Sequence, residues 1–239
     1  SSAWRGLLAE MAQSEHQFTM FDLPGHGDSL KWDFRGALHD VSTAVAASFL
    51  DQKMDLIGHS FGASVALRLA VEHPDLVRSL ILIEPVIFSL GFAYEPASKN
   101  AFLQDHAEFD CAIARDEFVS AARAFHQIWG SGQSWDRLPD KVQRGMVDKI
   151  YLIPAAASHV VEDAYGFCTA GLLEKIETPV LLLQGSASSA PMPAVISSLQ
   201  SRLPRCLVKT LEGAGHMALI THAKATAVLI QSFLKNHPV

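Results

Sequence analysis

Short apolar runs alternate with helical patterns along most of the chain. The apolar runs occupy residues 18–21, 54–57, 77–83, 180–183 and 206–211. Apolar side chains recur every three to four positions over residues 36–50, 61–73 and 222–234, which predicts helices there. Nearly continuous apolar strands that alternate with helices predict an α/β fold, with a mostly parallel sheet covered by helices on both faces.

The N-terminal segment already carries a helical pattern. Trp4, Leu7, Leu8 and Met11 are spaced three to four residues apart, which predicts an amphipathic helix. A domain seldom begins in the middle of a structural unit. We therefore expect that the native protein is longer at its N-terminus and that the first strands of the sheet precede the given chain.

The alternation stops between residues 86 and 177, where the pattern is mostly helical. An insertion of this size predicts a helical cap over the carboxyl edge of the sheet, where open α/β sheets bind ligands. The predicted division is a first core part at 1–85, a cap at 86–177 and a second core part at 178–239. Most cap aromatics are expected in helix cores and a few around an apolar pocket; they are Phe88, Phe92, Phe102, Phe109, Phe125, Trp129 and Phe167. Arg115, Asp116 and Arg123 are expected on a solvated helix face.

Composition narrows the class of protein. An apolar fraction of 49% excludes a disordered chain, and a formal net charge of −6 provides no basic surface for nucleic acid. No apolar run is long enough to cross a membrane, so no transmembrane helix is expected, and the first residues lack the pattern of a signal peptide. Three scattered cysteines, Cys111, Cys168 and Cys206, are typical of a reduced chain, so a cytoplasmic location is expected; the oligomeric state stays open.

The pentapeptide Gly58-His59-Ser60-Phe61-Gly62 stands between a predicted buried strand and a predicted helix. A sharp strand-to-helix turn strains its middle residue, and glycines on either side are expected to remove Cβ clashes. The turn presents the Ser60 hydroxyl at a helix N-terminus, where N–H groups stabilise negative charge. The pentapeptide also arises by chance, but the strand before it and the small residues after it favour a nucleophile.

A serine hydroxyl needs a base to become a strong nucleophile. Of the 11 histidines, only His216 stands in a loop just past the last predicted strand, although it could also be a solvated loop residue. His26 and His59 fit structural or pocket-lining roles better. No histidine pair has a metal-binding spacing such as H-E-x-x-H, so a metal site is not expected.

Three motifs resemble those of the α/β-hydrolase superfamily, and the resemblance covers nearly the whole chain. Residues 22–29 resemble the loop after the family's fourth strand, 58–62 its nucleophile elbow, and Gly215-His216 its histidine loop. The resemblance implies a serine hydrolase with an oxyanion hole that includes the backbone N–H of Phe61. The family's second oxyanion donor comes from an N-terminal loop, of which only Ser1-Ser2-Ala3-Trp4 resembles the end.

The acidic partner of His216 departs from the family's commonest pattern. The usual carboxylate after the strand at 180–183 is replaced by Ser188, which cannot orient an imidazole with a negative charge. Glu84 ends the preceding strand, and some family branches place their acid there. The alternatives are a surface or cap-anchoring role for Glu84, a cap acid such as Glu162 or Asp163, or no acid at all.

The sequence thus predicts a cofactor-free serine hydrolase that acts on a small-molecule ester, lactone or related acyl substrate through Ser60, His216 and Glu84. Hydrolysis of a C–C bond beside a ketone would use the same residues. A serine nucleophile argues against dehalogenase or epoxide hydrolase chemistry. Two further alternatives are a non-catalytic binding protein, which the missing carboxylate at position 188 would favour, and a protein-interaction module.

Overall fold

The computed structural model describes residues 2–237 and contains a parallel β-sheet flanked by helices. The strands are β1 (Met54–His59), β2 (Val77–Ile83), β3 (Val180–Gly185) and β4 (Cys206–Leu211). The helices are α1 (Arg5–Glu10), α2 (Leu38–Ala47), α3 (Phe61–Glu72), α4 (Phe88–Tyr94), α5 (Pro96–Ala114), α6 (Phe118–Trp129), α7 (Asp140–Val147), α8 (Leu152–Val160), α9 (Pro191–Arg202), α10 (Ala218–Thr221) and α11 (Ala223–Lys235). Ser1, part of the segment that resembles an oxyanion loop, lies outside the described residues.

The sheet is parallel and ordered β1-β2-β3-β4. Alternate residues of β2 enter different cores: Leu80 and Leu82 pack on one face of the sheet, while Ile81 and Ile83 pack on the other. All four side chains are fully buried. A strand covered on both faces has no position for a solvated side chain, which explains the continuous apolar run. The predicted fold class is confirmed.

The register of the sheet brings the carboxyl ends of three strands level with one another. His59 pairs with Ile83, and Ile83 pairs with Leu183. The ladder continues one residue further, since the Ser60 N–H donates to the Ile83 carbonyl and the Glu84 N–H to the Leu183 carbonyl. Residues that directly follow neighbouring strands therefore meet at one edge of the sheet.

The strand predicted at residues 18–21 is wrong. The segment has no strand hydrogen bonds, and Phe18 and Met20 are exposed. Phe21 instead stacks on Phe49, with ring centroids 4.7 Å apart. An apolar alternating run becomes a strand only where another strand accepts its backbone hydrogen bonds, and among residues 2–237 β1 pairs only with β2.

Helices α4–α8 lie between β2 and β3 in the chain, as the pattern of residues 86–177 predicts. The division of the chain at 86 and 177 stays a prediction. The N-terminal pattern forms a short 3₁₀ turn, Ser2–Trp4, followed by α1. Leu7 and Met11 are fully buried against α11, whereas Leu8 is half-buried, so the buried face is narrower than the spacing predicts.

Candidate active site

Ser60 lies at the sharp turn between β1 and α3. Its φ of 55° and ψ of −124° fall outside the regions that a residue with a Cβ normally adopts. The strain is held by the strand on one side and by the helix on the other, since the Ser60 N–H belongs to the sheet ladder and its carbonyl accepts the Ala63 N–H.

The two glycines of the turn differ in what they make possible. A Cβ on Gly58 would lie 2.3 Å from the Gly62 carbonyl oxygen and 2.5 Å from the Ala63 Cα, so β1 and α3 approach as closely as they do only because of this glycine. A Cβ on Gly62 would meet no atom within 4 Å. The expectation that both glycines relieve a clash is therefore wrong for Gly62, because a side chain at this position would extend into open space.

Ser60, His216 and Glu84 form one hydrogen-bonded series. The Ser60 Oγ lies 2.9 Å from His216 Nε2, and His216 Nδ1 lies 3.2 Å from Glu84 Oε2. With its proton on Nδ1, the imidazole donates to the carboxylate and accepts the serine proton at Nε2. The structure thus brings the three sequence-predicted residues together from the ends of β1 and β2 and from the loop after β4.

Glu84 is fully buried and adopts a left-handed backbone conformation, with φ 49°. Its Oε1 accepts hydrogen bonds from the Gly185 N–H at 2.7 Å and from the Ser188 Oγ at 2.8 Å. Together with His216, three donors converge on one carboxyl group, which satisfies a charge that burial would otherwise make costly. The alternative of a surface role for Glu84 is wrong.

The cap carboxylates that the sequence left open lie in other surroundings. Glu162 is exposed, and the Asp163 Oδ2 accepts the backbone N–H of Cys168 at 3.0 Å. Asp163 also has a positive φ of 59°. Its hydrogen bond closes the loop that follows α8, which is a local structural role.

His59 anchors the loop that carries His216. Burial, and then the neighbouring His216, lower the pKa of His59 to about 3, so its ring is neutral in neutral solution. The His59 Nε2–H donates to the His216 carbonyl oxygen at 2.8 Å. A neutral imidazole therefore fixes the backbone of the histidine loop without placing a second positive charge beside His216.

An indole ring packs against His216 from α6. The Trp129 ring lies edge-to-face with the His216 ring, with centroids 4.9 Å apart, and its Nε1–H donates to His106 Nε2 at 2.9 Å. His106 Nδ1 then donates to the Phe102 carbonyl at 2.9 Å, and burial lowers the pKa of His106. The sequence predicts Trp129 only as one of the cap aromatics and gives no sign of a role for His106, because no local motif links either residue to His216.

The predicted oxyanion donor lies in the first turn of α3. First-turn N–H groups have no hydrogen-bond partner within their own helix, which makes the Phe61 N–H a candidate donor to an anion. The 3₁₀ turn of Ser2–Trp4 contacts α10, which directly follows the histidine loop.

A cluster of possible metal ligands lies away from Ser60, at the junction of α2, α3 and α8. The ligand atoms of His39, Asp40 and His159 are within 4.8 Å of one another. Arg68 binds both the Asp40 carboxylate and His39 Nδ1, so its guanidinium already supplies the positive charge at this point. Burial, the neighbouring His159 and Arg68 lower the pKa of His39 to about 3. The cluster fits a hydrogen-bonded ion pair better than a metal site.

Comparison with known proteins agrees with the arrangement of Ser60, His216 and Glu84. The family model described as the alpha/beta hydrolase fold matches residues 1–223. A pimeloyl-[acyl-carrier protein] methyl ester esterase from Neisseria meningitidis serogroup A is 31% identical over 231 residues, which cover 90% of this chain and 67% of the relative. An enzyme of the same name from Aeromonas hydrophila is 27% identical, and the alignment covers 98% of this chain and 90% of that enzyme.

Solved structures share the fold at lower identity. A haloalkane dehalogenase from Agrobacterium tumefaciens has a TM-score of 0.74 and 19% identity, over 98% of this chain and 85% of its own. A serine hydrolase involved in carbazole degradation has a TM-score of 0.68 and 17% identity, over 98% and 84%. Among residues 2–237, no helix combines the length and hydropathy needed to cross a bilayer. The chain belongs to the α/β hydrolase fold family, as an esterase-like hydrolase.

Proposed function

We propose that the chain hydrolyses a carboxylic ester through an acyl-enzyme formed on Ser60. The observation that carries the proposal is the pair of hydrogen bonds that joins Ser60 to His216 and His216 to Glu84. A serine, an imidazole and a carboxylate in this order form the arrangement that activates a hydroxyl for attack on a carbonyl.

In the proposed mechanism, His216 Nε2 takes the proton of Ser60 as Oγ attacks the carbonyl carbon. The Phe61 N–H stabilises the oxyanion, and His216 returns the proton to the departing alcohol. His216 then activates a water molecule, which releases the acid and restores Ser60. Throughout, Glu84 holds the proton of His216 on Nδ1 and stabilises the imidazolium that forms.

The finer proposal concerns the substrate. The relatives that are about 30% identical over most of this chain are esterases of pimeloyl-[acyl-carrier protein] methyl ester. We infer that a methyl ester of an acyl chain is the substrate class, with methanol as the leaving group. Hydrolysis of a C–C bond beside a ketone requires the same three residues, and no contact in the site favours it.

The test is intact-mass spectrometry after treatment with a fluorophosphonate, beside a Ser60→Ala control. A single adduct that is absent from the control supports an activated Ser60. Ser60→Ala should also lower kcat for a methyl ester by about 10⁴-fold or more. A folded protein without an adduct or turnover would instead favour the non-catalytic binding protein.

A substrate comparison separates the finer alternatives. Methanol release is measured from pimeloyl-[acyl-carrier protein] methyl ester and from the free methyl ester of the same acid. Release of a carboxylic acid is measured from a ketone with a cleavable neighbouring C–C bond. Turnover of the two methyl esters, with none of the ketone, supports the esterase. Turnover of the ketone alone would replace it with the C–C hydrolase.

A further inference from the structure

The loop after β3 carries a hydroxyl where the family's commonest pattern carries a carboxylate. The Ser188 side chain is half-buried and donates to Glu84 Oε1 at 2.8 Å. The Gly185 N–H donates to the same oxygen at 2.7 Å. A residue that cannot serve as the acid thus lies in direct contact with the residue that can.

The contact limits the orientations that the Glu84 carboxylate can adopt beside His216. A glutamate side chain has three rotatable bonds and two equivalent oxygens, so a carboxylate without fixed partners would sample several orientations. Two donors on Oε1 leave Oε2 for His216 Nδ1, which lies 3.2 Å away. The backbone N–H and the hydroxyl together hold Oε1 and so restrict the orientation of the carboxylate.

We propose that Ser188 is a positioning residue for the reaction, because its hydroxyl orients the Glu84 carboxylate toward His216. This inference rests on the proposed ester hydrolysis. A serine at position 188 is compatible with an acid at the end of the neighbouring strand. A carboxylate at position 188 would instead place a second negative charge at hydrogen-bond distance from Glu84.

The neighbouring serine provides a matched control. The Ser189 Oγ is buried in the same loop and has no hydrogen-bond partner among the described residues. Removal of either hydroxyl changes the loop by one oxygen atom, but only Ser188 contacts the acid. Ser188→Ala should lower kcat about tenfold with KM within about twofold, because a hydrogen bond to a charged group is lost. Ser189→Ala should leave both constants unchanged.

An isosteric pair separates the hydroxyl from the packing. Ser188→Thr keeps the donor, whereas Ser188→Val has the same shape without it. The threonine variant should retain kcat within about threefold of the parent and the valine variant should resemble Ser188→Ala. This pair decides the question if Ser188→Ala fails to fold. Equal kcat values for the two variants would overturn the proposal.

A double-mutant cycle gives the second readout. In a Glu84→Gln background the charge to be oriented is already gone, so Ser188→Ala should have less than about a twofold effect on kcat. A tenfold effect that persists in that background would show a general role in loop structure and would overturn the proposal.

Ser60→Ala, assayed in parallel, keeps the two hypotheses apart. If Ser60→Ala is inactive while Ser188→Ala turns over like the parent, the proposed function stands and the positioning role is overturned. If Ser60→Ala turns over like the parent, the proposed function fails, and the positioning role that rests on it fails too.

Discussion

At the residue scale, Glu84 combines full burial, a left-handed backbone and a negative charge. Burial of a charge and a left-handed backbone at a non-glycine residue each lower the stability of the folded state when nothing compensates them. They are compatible here because the N–H of Gly185, the hydroxyl of Ser188 and the ring of His216 together satisfy both carboxylate oxygens. The site is therefore built around a charge that is fixed before substrate binds, which is the condition for electrostatic stabilisation of a developing imidazolium.

Replacement of Glu84 by glutamine should preserve shape and remove this charge. We expect Glu84→Gln to lower kcat by about 10³- to 10⁴-fold with little change in KM, because the amide neither stabilises the imidazolium nor favours the Nδ1-protonated tautomer. Steady-state kinetics on the methyl ester measure the effect.

Glu162→Gln is the matched control, since Glu162 is an exposed cap carboxylate. Its kcat should equal that of the parent. If the Glu162 variant lost activity instead and Glu84→Gln did not, the acid would come from the cap.

Residues differ in how far their roles could be predicted. The local surroundings of Ser60 and His216, a strand–turn–helix and a loop after a strand, are visible in the sequence, and so is the strand end that precedes Glu84. The bond between Ser188 and Glu84 joins residues 104 positions apart and depends on the register of β2 and β3. No local pattern encodes that register, which is why Ser188 appeared only as a missing acid.

At the element scale, the turn between β1 and α3 depends on close backbone contact. Gly58→Ala would place a methyl group 2.3 Å from the Gly62 carbonyl oxygen, so the backbone of β1 or of α3 would have to shift. We expect the free energy of unfolding to fall by about 3 kcal/mol or more. Urea denaturation followed by circular dichroism measures the loss.

Gly62→Ala is the comparison at the other end of the same turn. Its new methyl group would meet no atom within 4 Å, and alanine is a better helix former than glycine. The free energy of unfolding should stay equal or rise by about 0.5 kcal/mol. Equal destabilisation by both alanines would contradict the close approach at Gly58.

The strands that pair with another described strand could be predicted from the sequence, whereas the predicted strand without a neighbouring strand did not form. The run at Cys206–Leu211 forms a strand with the predicted bounds because β3 accepts its hydrogen bonds along the whole length. The run at 18–21 is equally apolar and stays irregular, since no described strand lies beside it. The pattern of apolar residues indicates the propensity of a segment to form a strand, but a strand forms only where a neighbouring strand provides hydrogen-bond partners.

At the scale of the whole molecule, buried neutral histidines couple stability to pH. His39 and His59 both have a pKa lowered to about 3, with burial as the main cause. In the unfolded chain each titrates near its ordinary pKa of 6.5. Between these values the unfolded state binds one more proton per histidine, so stability is complete above about pH 6.5 and is lost as the pH falls.

The expected slope is about 1.4 kcal/mol of unfolding free energy per pH unit for each histidine. Urea denaturation between about pH 6.5 and pH 5 measures it. His39→Gln should make the dependence shallower by about that amount, because it removes one of the histidines that bind a proton more weakly in the folded state. A pH dependence that is the same in both proteins would mean that His39 binds its proton equally well in the folded and unfolded states.

The indole of Trp129, which packs 4.9 Å from His216, gives the protein an intrinsic optical reporter. A protonated imidazole quenches the fluorescence of a neighbouring indole more strongly than a neutral one does. We expect tryptophan emission to decrease when a bound transition-state analogue drives His216 into its charged form, and Trp129→Phe to remove that response. The charge of the histidine could then be followed in stopped-flow experiments on an unlabelled chain.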